Sequence, residues 1–567
     1  MRQVRSYPKT ADLENPLYYL ENMNTLVDWV AEHHGDLLIE AERARLKNFC
    51  QLPIAARALL TRMIMRSGEL FRVDKLNYPE LPQPETEAVA ELIAQQWLEP
   101  APLLGLDDVF RLFTLAELRL KYADWLAHNG LPKNLPKARL REALANTEAE
   151  PKTLNRWFDQ QQVPQVVQVQ GMALFDRIRL MFFGNLRQSW TDFVLVELGV
   201  QQFETVPFTP ESRAFQYRRE VDSYLQMHRC RERLDEGEAA DSVWMDIPDP
   251  VDNSWLTSRR NRLLLELGRQ AERQGNSELA LQAWAASVHR EARLKQLRLL
   301  ERLKRFDEAW DIASQWQNGE LSDAEAQGLE RILKRLAPKV GESKPQAPPK
   351  PLIREFTVTL AKPDTGSVEH AALAYLSAEK APVFYVENTL INTLFGLLCW
   401  PVIFKPIAGA FFHPFHIGPA DLTREDFVAR RQADFDQCFA WLETGAYRQR
   451  IFETYKAKQG IANPFVAWPV ITEDLLTLAM NCIPAEHLRV LFDRLLANVK
   501  EHRSGFPDLI RFIPKAEAPE PRYEMIEVKG PGDRLQDHQR RWLAFFDQQG
   551  IPASVCYVRW QEAEGRL

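Results

Sequence analysis

A multidomain chain, mainly α through its N-terminal and middle regions and closing in a small α/β domain, is the fold class this sequence predicts. Three observations predict it. The chain runs to 567 residues, several times the usual span of one domain. Helical periodicity dominates up to the proline-rich "KVGESKPQAPPKPL" at 339–352 and stops there on both sides, as a semi-rigid connector requires. β-rich runs concentrate after that connector.

Taken in order, residues 1–75 form a helical N-terminal region, carried by "NPLYYLENMNTLVDWVAEHHG" and "AERARLKNFCQLPIAARALLTRMIMR". His33 and His34 stand just before Gly35, which reads as an exposed helix end rather than a metal pair. Residues 76–150 hold "LFTLAELRLKYADWLAHNGLPKNLPKARLREALAN", two amphipathic helices flanking a Gly-Leu-Pro turn. Lys121, Lys133, Lys137, Arg139 and Arg141 gather near that turn. They make either a solvated basic rim or a hairpin whose lysines meet DNA phosphates. Residues 151–257 are a helical connector.

Residues 258–340 carry a tetratricopeptide-like signature. In "LGRQAERQGNSELALQAWAAS", Leu267 and Gly268 precede Ala280 by 13 and 12 positions, and Trp284 follows four later. Small residues let two helices approach, and the aromatic fills the gap. "LERLKRFDEAWDIASQW" offers a weaker second copy around Ala309, and the array suits a spacer more than a peptide-binding surface.

The linker at 341–352 opens onto residues 353–567. There "VENTLINTLFGLLCWPVIF" begins with a helix, and "AEHLRVLFDRLLANVKEHR" at 485–503 is one amphipathic helix. "DLIRFI" at 508–513 and "YEMIEVK" at 523–529 are strands joined by a polar, proline-rich turn. "RLQDHQRRWLAFFDQQG" is a helix with Asp533 as its N-cap and Gly550 as its stop, and "ASVCYVRW" is the last strand.

Composition excludes several classes of function. Hydrophobic content of 45% and charged content of 26% are those of a soluble globular protein. No uncharged apolar stretch reaches the roughly 20 residues of a membrane helix; "NTLINTLFGLLCWPVIF" comes nearest but is short and contains a proline. The N-terminus has no apolar core, so it is not a secretory signal. Six scattered cysteines without a C-x-x-C pair lack metal spacing and fit a reducing cytoplasm. A net charge of −7 argues against coating nucleic acid by bulk attraction, while leaving room for local basic faces. No phosphate-binding G-x-x-x-x-G-K-[ST] loop and no nucleophile elbow occur. His413 and His416 in "FFHPFHIG" have a ligand-like interval, but Pro414 and the surrounding aromatics point to a packed loop rather than a zinc site.

The chemistry concentrates at 505–546, "GFPDLIRFIPKAEAPEPRYEMIEVKGPGDRLQDHQRRWLAFF". Side chains alternate along a strand, so Glu527 and Lys529 share one face, and Asp508 enters the neighbouring strand beside them. Two converging carboxylates suit a hard divalent cation, Mg²⁺ or Mn²⁺, with the carbonyl of Val528 as a further oxygen donor. Lys529 would orient an attacking water and stabilise developing negative charge. A salt-bridged strand pair without a metal fits the same pattern. Gly530-Pro531-Gly532 ends the strand and leaves room for a substrate, Arg534, Arg540 and Arg541 follow on the next helix, and Lys500 and Arg503 lie just ahead of Asp508, bracketing the carboxylates with phosphate-positioning groups.

"GFPDLI", "YEMIEVKGPGDRL" and "HQRRWL" together resemble the virus-type replication-repair nuclease (VRR-NUC) domain, a branch of the PD-(D/E)xK nucleases. The helical regions ahead of them resemble the Fanconi-anaemia-associated nuclease family along most of the chain, with 76–150 in the place of a SAP-type DNA-binding segment. The resemblance implies that Asp508, Glu527 and the main-chain oxygen of Val528 bind Mg²⁺ or Mn²⁺, that Lys529 is catalytic, and that Glu387, from the domain's first helix, is a further metal carboxylate. It places a 5′-phosphate pocket at Arg262, Lys500 and Arg503, with His538 at a position usually basic.

The function expected is a metal-dependent, structure-selective DNA nuclease acting on branched or flapped duplex. It would cut 5′ flaps and digest 5′ to 3′ in interstrand crosslink repair, in the cytoplasm and, in a bacterium, near the nucleoid. The alternatives are a Holliday-junction resolvase or restriction-like endonuclease on the same core, and a non-catalytic repair scaffold.

Overall fold

The computed structural model describes residues 15–561 apart from 67, 149, 159–162, 188–201, 320, 345–350, 364 and 517–519. Half of the proline-rich linker, 345–350, therefore lies outside the described residues. The chain divides into two compact units, one drawn from the first 200 residues and 215–221, the other from 201–214 and 222 onward.

In the first unit, helices span Tyr18–His34, Glu40–Gln51 and Ile54–Ile64. Pro53 separates the second and third because a proline drives the residue before it out of helical conformation. His34 is buried, not part of an exposed helix end. It lies one turn after buried Val30, so it continues the apolar stripe into the core. A small antiparallel sheet places Val166–Val169 between Leu70–Arg72 and Leu98–Glu99. The basic hairpin is built from helices Leu115–Lys121, Ala123–His128 and Lys137–Leu144. Leu118, Leu126, Leu140 and Leu144 bury together around Trp157. Part of its basic rim is spent internally: Lys137 Nζ donates to the Phe113 carbonyl at 2.8 Å, and Arg141 pairs with Asp107.

In the second unit, the repeat region begins with α1 (Ser254–Arg273) and α2 (Ser277–Ala285). Asn253 and Asn276 cap them by accepting backbone N–H groups of the first turn. Gly268 lets the two helices touch: a Cβ built there would lie 2.3 Å from the indole nitrogen of fully buried Trp284. Helices Arg290–Arg302, Phe306–Gln317 and Asp323–Val340 continue the stack.

Beyond the linker come β1 (Arg354–Leu360), α3 (Val368–Leu376), β2 (Val383–Tyr385) and α4 (Leu390–Leu398). After further helices follow α5 (Ala485–Ala497), β3 (Leu509–Phe512), β4 (Tyr523–Lys529), α6 (Asp537–Gln549) and β5 (Ala553–Trp560). The sheet order is β1-β5-β4-β3-β2. β3 and β4 form the expected hairpin, while β4 reaches β5 in parallel through α6. Tyr523, Met525 and Val555 face a large apolar layer with α4, α5 and α6. Ile526, Val528, Cys556 and Val558 face the other way, toward Ala372 of α3.

Three local expectations are corrected. The run 485–503 is not one helix: Asn498 adopts φ −159° and ψ 85°, and its side chain caps a short second helix, Val499–His502. α6 starts at Asp537 rather than near Asp533, because Asp533 Oδ2 accepts the Gly530 N–H at 3.1 Å and closes the glycine turn instead. Arg534 therefore lies between that turn and the helix, not on the helix. Gly550 does stop α6, at φ +66°.

Candidate active site

Strand β4 is central, yet its two neighbours do not end together. β5 pairs with it as far as Tyr557↔Lys529, whereas β3 stops at Leu509↔Ile526. Val528 is left without a ladder partner on the β3 side. Its N–H is taken by Asp508 Oδ2 at 2.8 Å. A residue's N–H and C=O leave an extended strand on the same edge, so the Val528 carbonyl also faces the Asp508 side.

The row Tyr523, Met525, Glu527, Lys529 shares one face and passes from apolar to charged as the strand leaves the core. Glu527 is 1% exposed. Its Oε1 sits 2.7 Å from Lys529 Nζ and accepts Gln539 Nε2 at 2.6 Å. Gln539 comes from the first turn of α6, where its Oε1 accepts the Gln536 N–H at 3.0 Å. One side chain thus starts the helix and fixes a buried carboxylate.

Glu387 comes from a turn and not from a helix. It sits between β2 and α4, and the first helix of this region is α3. Val386 N–H donates to the Asp508 carbonyl at 2.8 Å, which draws the turn against the start of β3. Asn388 takes a left-handed φ of +51°; its amide donates to Glu387 Oε1 at 3.2 Å, and the Tyr385 hydroxyl donates to Oε2.

Burial pushes the Asp508 carboxyl up to about 6; the Val528 N–H and Lys529 oppose the rise, while the nearby Glu387 and Glu369 carboxylates add to it. Burial also lifts Glu527 to about 7, with Asp508 adding its charge and Lys529 pulling the other way. Among the described residues, no three His, Cys, Asp or Glu side chains form a ready-made cage for an ion. The donor set nonetheless fits a hard divalent cation. It is oxygen-only, it includes a carbonyl released from the sheet, and Glu387 adds to the rise at both buried carboxyls while Asp508 adds to that of Glu527, a repulsion that a cation between them would relieve.

The remaining candidates fall in different places. Arg262 and Lys500 are exposed. Both, with Arg269, help hold the His289 imidazole below its usual value, after burial. Arg503 turns aside and donates to the Pro464 carbonyl at 3.2 Å. His538 packs against Gly505, whose added Cβ would meet it at 2.6 Å. Arg541 approaches Gln327 and Arg540 bonds the Leu535 carbonyl. His413 and His416 stack at 4.1 Å, the first buried and the second half-buried, and each ring takes a backbone N–H of its own loop, Phe415 onto His413 Nδ1 at 3.1 Å and Phe412 onto His416 Nε2 at 3.3 Å, as a packed loop does. Gln539, Tyr385 and Asn388 were not legible as site residues. The one available signal for Gln539 was its position in the "HQRRWL" segment.

Comparison with known proteins agrees with this architecture. The family model for the VRR-NUC domain matches residues 442–560, and that for the FAN1 HTH domain matches 17–99. A Fanconi-associated nuclease 1 homolog of Pseudomonas aeruginosa is 44% identical over 550 residues, covering 97% of this chain and 97% of its own length. A homolog from Arabidopsis thaliana is 22% identical over 615 residues, 98% of this chain and 68% of its own. A crystal structure of paFAN1 bound to DNA with a 2-nucleotide 5′ flap and a gap superposes with a TM-score of 0.83 at 44% identity, covering 97% of this chain and 100% of that one. Among the described residues no helix is long and apolar enough to cross a membrane.

Proposed function

The chain belongs to the Fanconi-associated nuclease family, and we propose that it is a Mg²⁺- or Mn²⁺-dependent nuclease that cuts 5′ flaps, digests 5′ to 3′ and serves interstrand crosslink repair. The observation that carries this reading is the meeting of Asp508, Glu527, Lys529 and the Val528 carbonyl where β3 ends short of β4. The 5′-flap DNA held by paFAN1, which shares this fold, supports the substrate class.

In this reading Asp508, Glu527, the Val528 carbonyl and Glu387 hold the cation. When bound, it neutralises charge on the scissile phosphate and acidifies the attacking water. The chain's own groups do the rest. Lys529, held by Glu527, orients that water and stabilises charge developing on the phosphate. Gln539 and Lys529 keep Glu527 in one rotamer, and the Val528 N–H does the same for Asp508. The Gly530–Gly532 turn leaves the strand end open to a substrate backbone. Arg262 and Lys500 take a terminal 5′ phosphate beside His289, and the helical regions grip branched duplex.

Labelled 5′-flap, nicked and four-way duplexes, incubated with Mn²⁺, Mg²⁺ or EDTA, test the reading. It expects cation-dependent incision near the flap junction. Symmetric incision of the four-way substrate favours a resolvase, and no cleavage of any substrate favours a non-catalytic scaffold.

A further inference from the structure

The two oxygens of Glu387 are each held by a neighbouring side chain. The Tyr385 hydroxyl donates to Oε2 and the Asn388 amide donates to Oε1 at 3.2 Å. Glu387 is exposed on a turn, so without such partners its side chain would sample several rotamers.

Both partners are themselves fixed. The Tyr385 ring stacks on His370 at 5.5 Å with an interplanar angle of 26°, and His370 Nδ1 lies 2.9 Å from Ser367 Oγ at the start of α3. On the other flank, Tyr385 pairs with Leu509, the residue after Asp508. Asn388 reaches the same strand by another route: its Oδ1 accepts the Phe506 N–H at 3.0 Å, two residues before Asp508. Its carbonyl accepts Asn392 Nδ2 at 2.7 Å, and that same amide nitrogen donates to the Arg503 carbonyl at 2.8 Å. The left-handed φ of +51° is a conformation that asparagine tolerates better than most L-residues. It turns the side chain so that one amide can touch the carboxylate and the Asp508 segment together.

We propose that Tyr385 and Asn388 are positioning residues that lock the Glu387 carboxylate in register with Asp508, so that a divalent cation meets a pre-set third carboxylate. The inference rests on the reading of Glu387 as a metal ligand. Each donor uses one lone pair of its oxygen and leaves another for the ion. Outer partners of this kind hold ligand orientation and raise metal affinity.

The test is Mn²⁺ binding to the full-length protein without DNA, followed by the electron paramagnetic resonance of free Mn²⁺, with flap-DNA affinity in EDTA measured in parallel. Tyr385→Phe keeps the stacked ring and removes only the donor to Glu387, whereas Asn388→Gly keeps the left-handed turn but removes both the donor to Glu387 and the acceptor of the Phe506 N–H. Each is expected to weaken Mn²⁺ binding about tenfold, to regain near wild-type cleavage at high Mn²⁺, and to bind flap DNA unchanged. Glu387→Gln, expected to weaken Mn²⁺ at least as much, separates the two ideas. If it weakens Mn²⁺ while Tyr385→Phe and Asn388→Gly bind like wild type, the positioning role is overturned and the ligand reading stands. If Glu387→Gln itself binds Mn²⁺ like wild type, the ligand reading falls and takes the inference with it. Should Asn388→Gly not fold, Tyr385→Phe alone decides.

Discussion

Gly268→Ala puts a single methyl into the closest helix contact of the repeat region. The new Cβ would lie 2.3, 2.6 and 2.7 Å from three indole atoms of Trp284, where an ordinary carbon contact needs about 3.5 Å or more. The indole has nowhere cheap to go. Trp284 is fully buried, and its Nε1–H donates to the Leu265 carbonyl at 3.1 Å. Overpacking costs about 1–3 kcal/mol, and losing the indole's bond in a dry site costs about 1–3 kcal/mol more. Replacing glycine inside a helix returns about 1 kcal/mol. The net expectation is a loss of about 1–5 kcal/mol. Urea unfolding followed by tryptophan fluorescence reads this directly: with a slope of about 3 kcal/mol/M, the midpoint falls by about 0.3–1.7 M at unchanged slope. Gly35→Ala is the control, since no atom lies within 4 Å of its added Cβ and φ is −59°; its midpoint should stay within about 0.2 M of wild type. A Gly268→Ala midpoint equally close to wild type would refute the packing argument.

Other predictions follow from buried charge. Asp421 is fully buried and accepts Arg431 Nη1 and Nη2, each at 2.9 Å, with Arg430 Nη1 also at 2.9 Å. Asp421→Ala strands a buried guanidinium and should cost about 3–5 kcal/mol in denaturant unfolding; a loss below about 1 kcal/mol would contradict the account. Asp323 is held down to about 2, first by its hydrogen bond with His502 and further by Arg494. A depressed carboxyl adds stability above its unfolded pKa and loses it as pH falls through the folded value. The stability gap between wild type and Asp323→Asn should therefore be full near pH 6 and shrink steadily from about pH 4 toward pH 2; a gap independent of pH would count against the assignment. Gln539→Ala removes one of two donors from Glu527 Oε1, so half-activating Mn²⁺ should rise about tenfold or more at fixed pH, with unchanged flap binding; an unaltered Mn²⁺ dependence would dismiss the role.

How much of this was readable in the sequence depends on range. The β3–β4 hairpin and the shared face of Glu527 and Lys529 follow from period-two alternation, a local property, and both are present. Gly268 and Trp284 announced their contact because the spacing of a small and a large residue is also local. What the sequence hid was set by tertiary pairing. Strand β1 joins the sheet only by lying parallel to β5, from the far end of the domain. The break at Asn498 was invisible because leucine periodicity runs through it unchanged. Glu387 looked like a helix residue, since nothing local reveals that Asn388 turns left-handed to meet Phe506. The early stop of β3, which frees Val528 for Asp508, is likewise a matter of sheet register.

The most direct measurement of the central claim is cleavage of a labelled 5′-flap duplex with Mn²⁺ by wild type and by Asp508→Ala, with flap affinity recorded beside it. The account predicts that wild type cuts near the junction, and that Asp508→Ala binds the flap normally yet cleaves at least about a hundredfold more slowly. Cleavage by Asp508→Ala at the wild-type rate would contradict it.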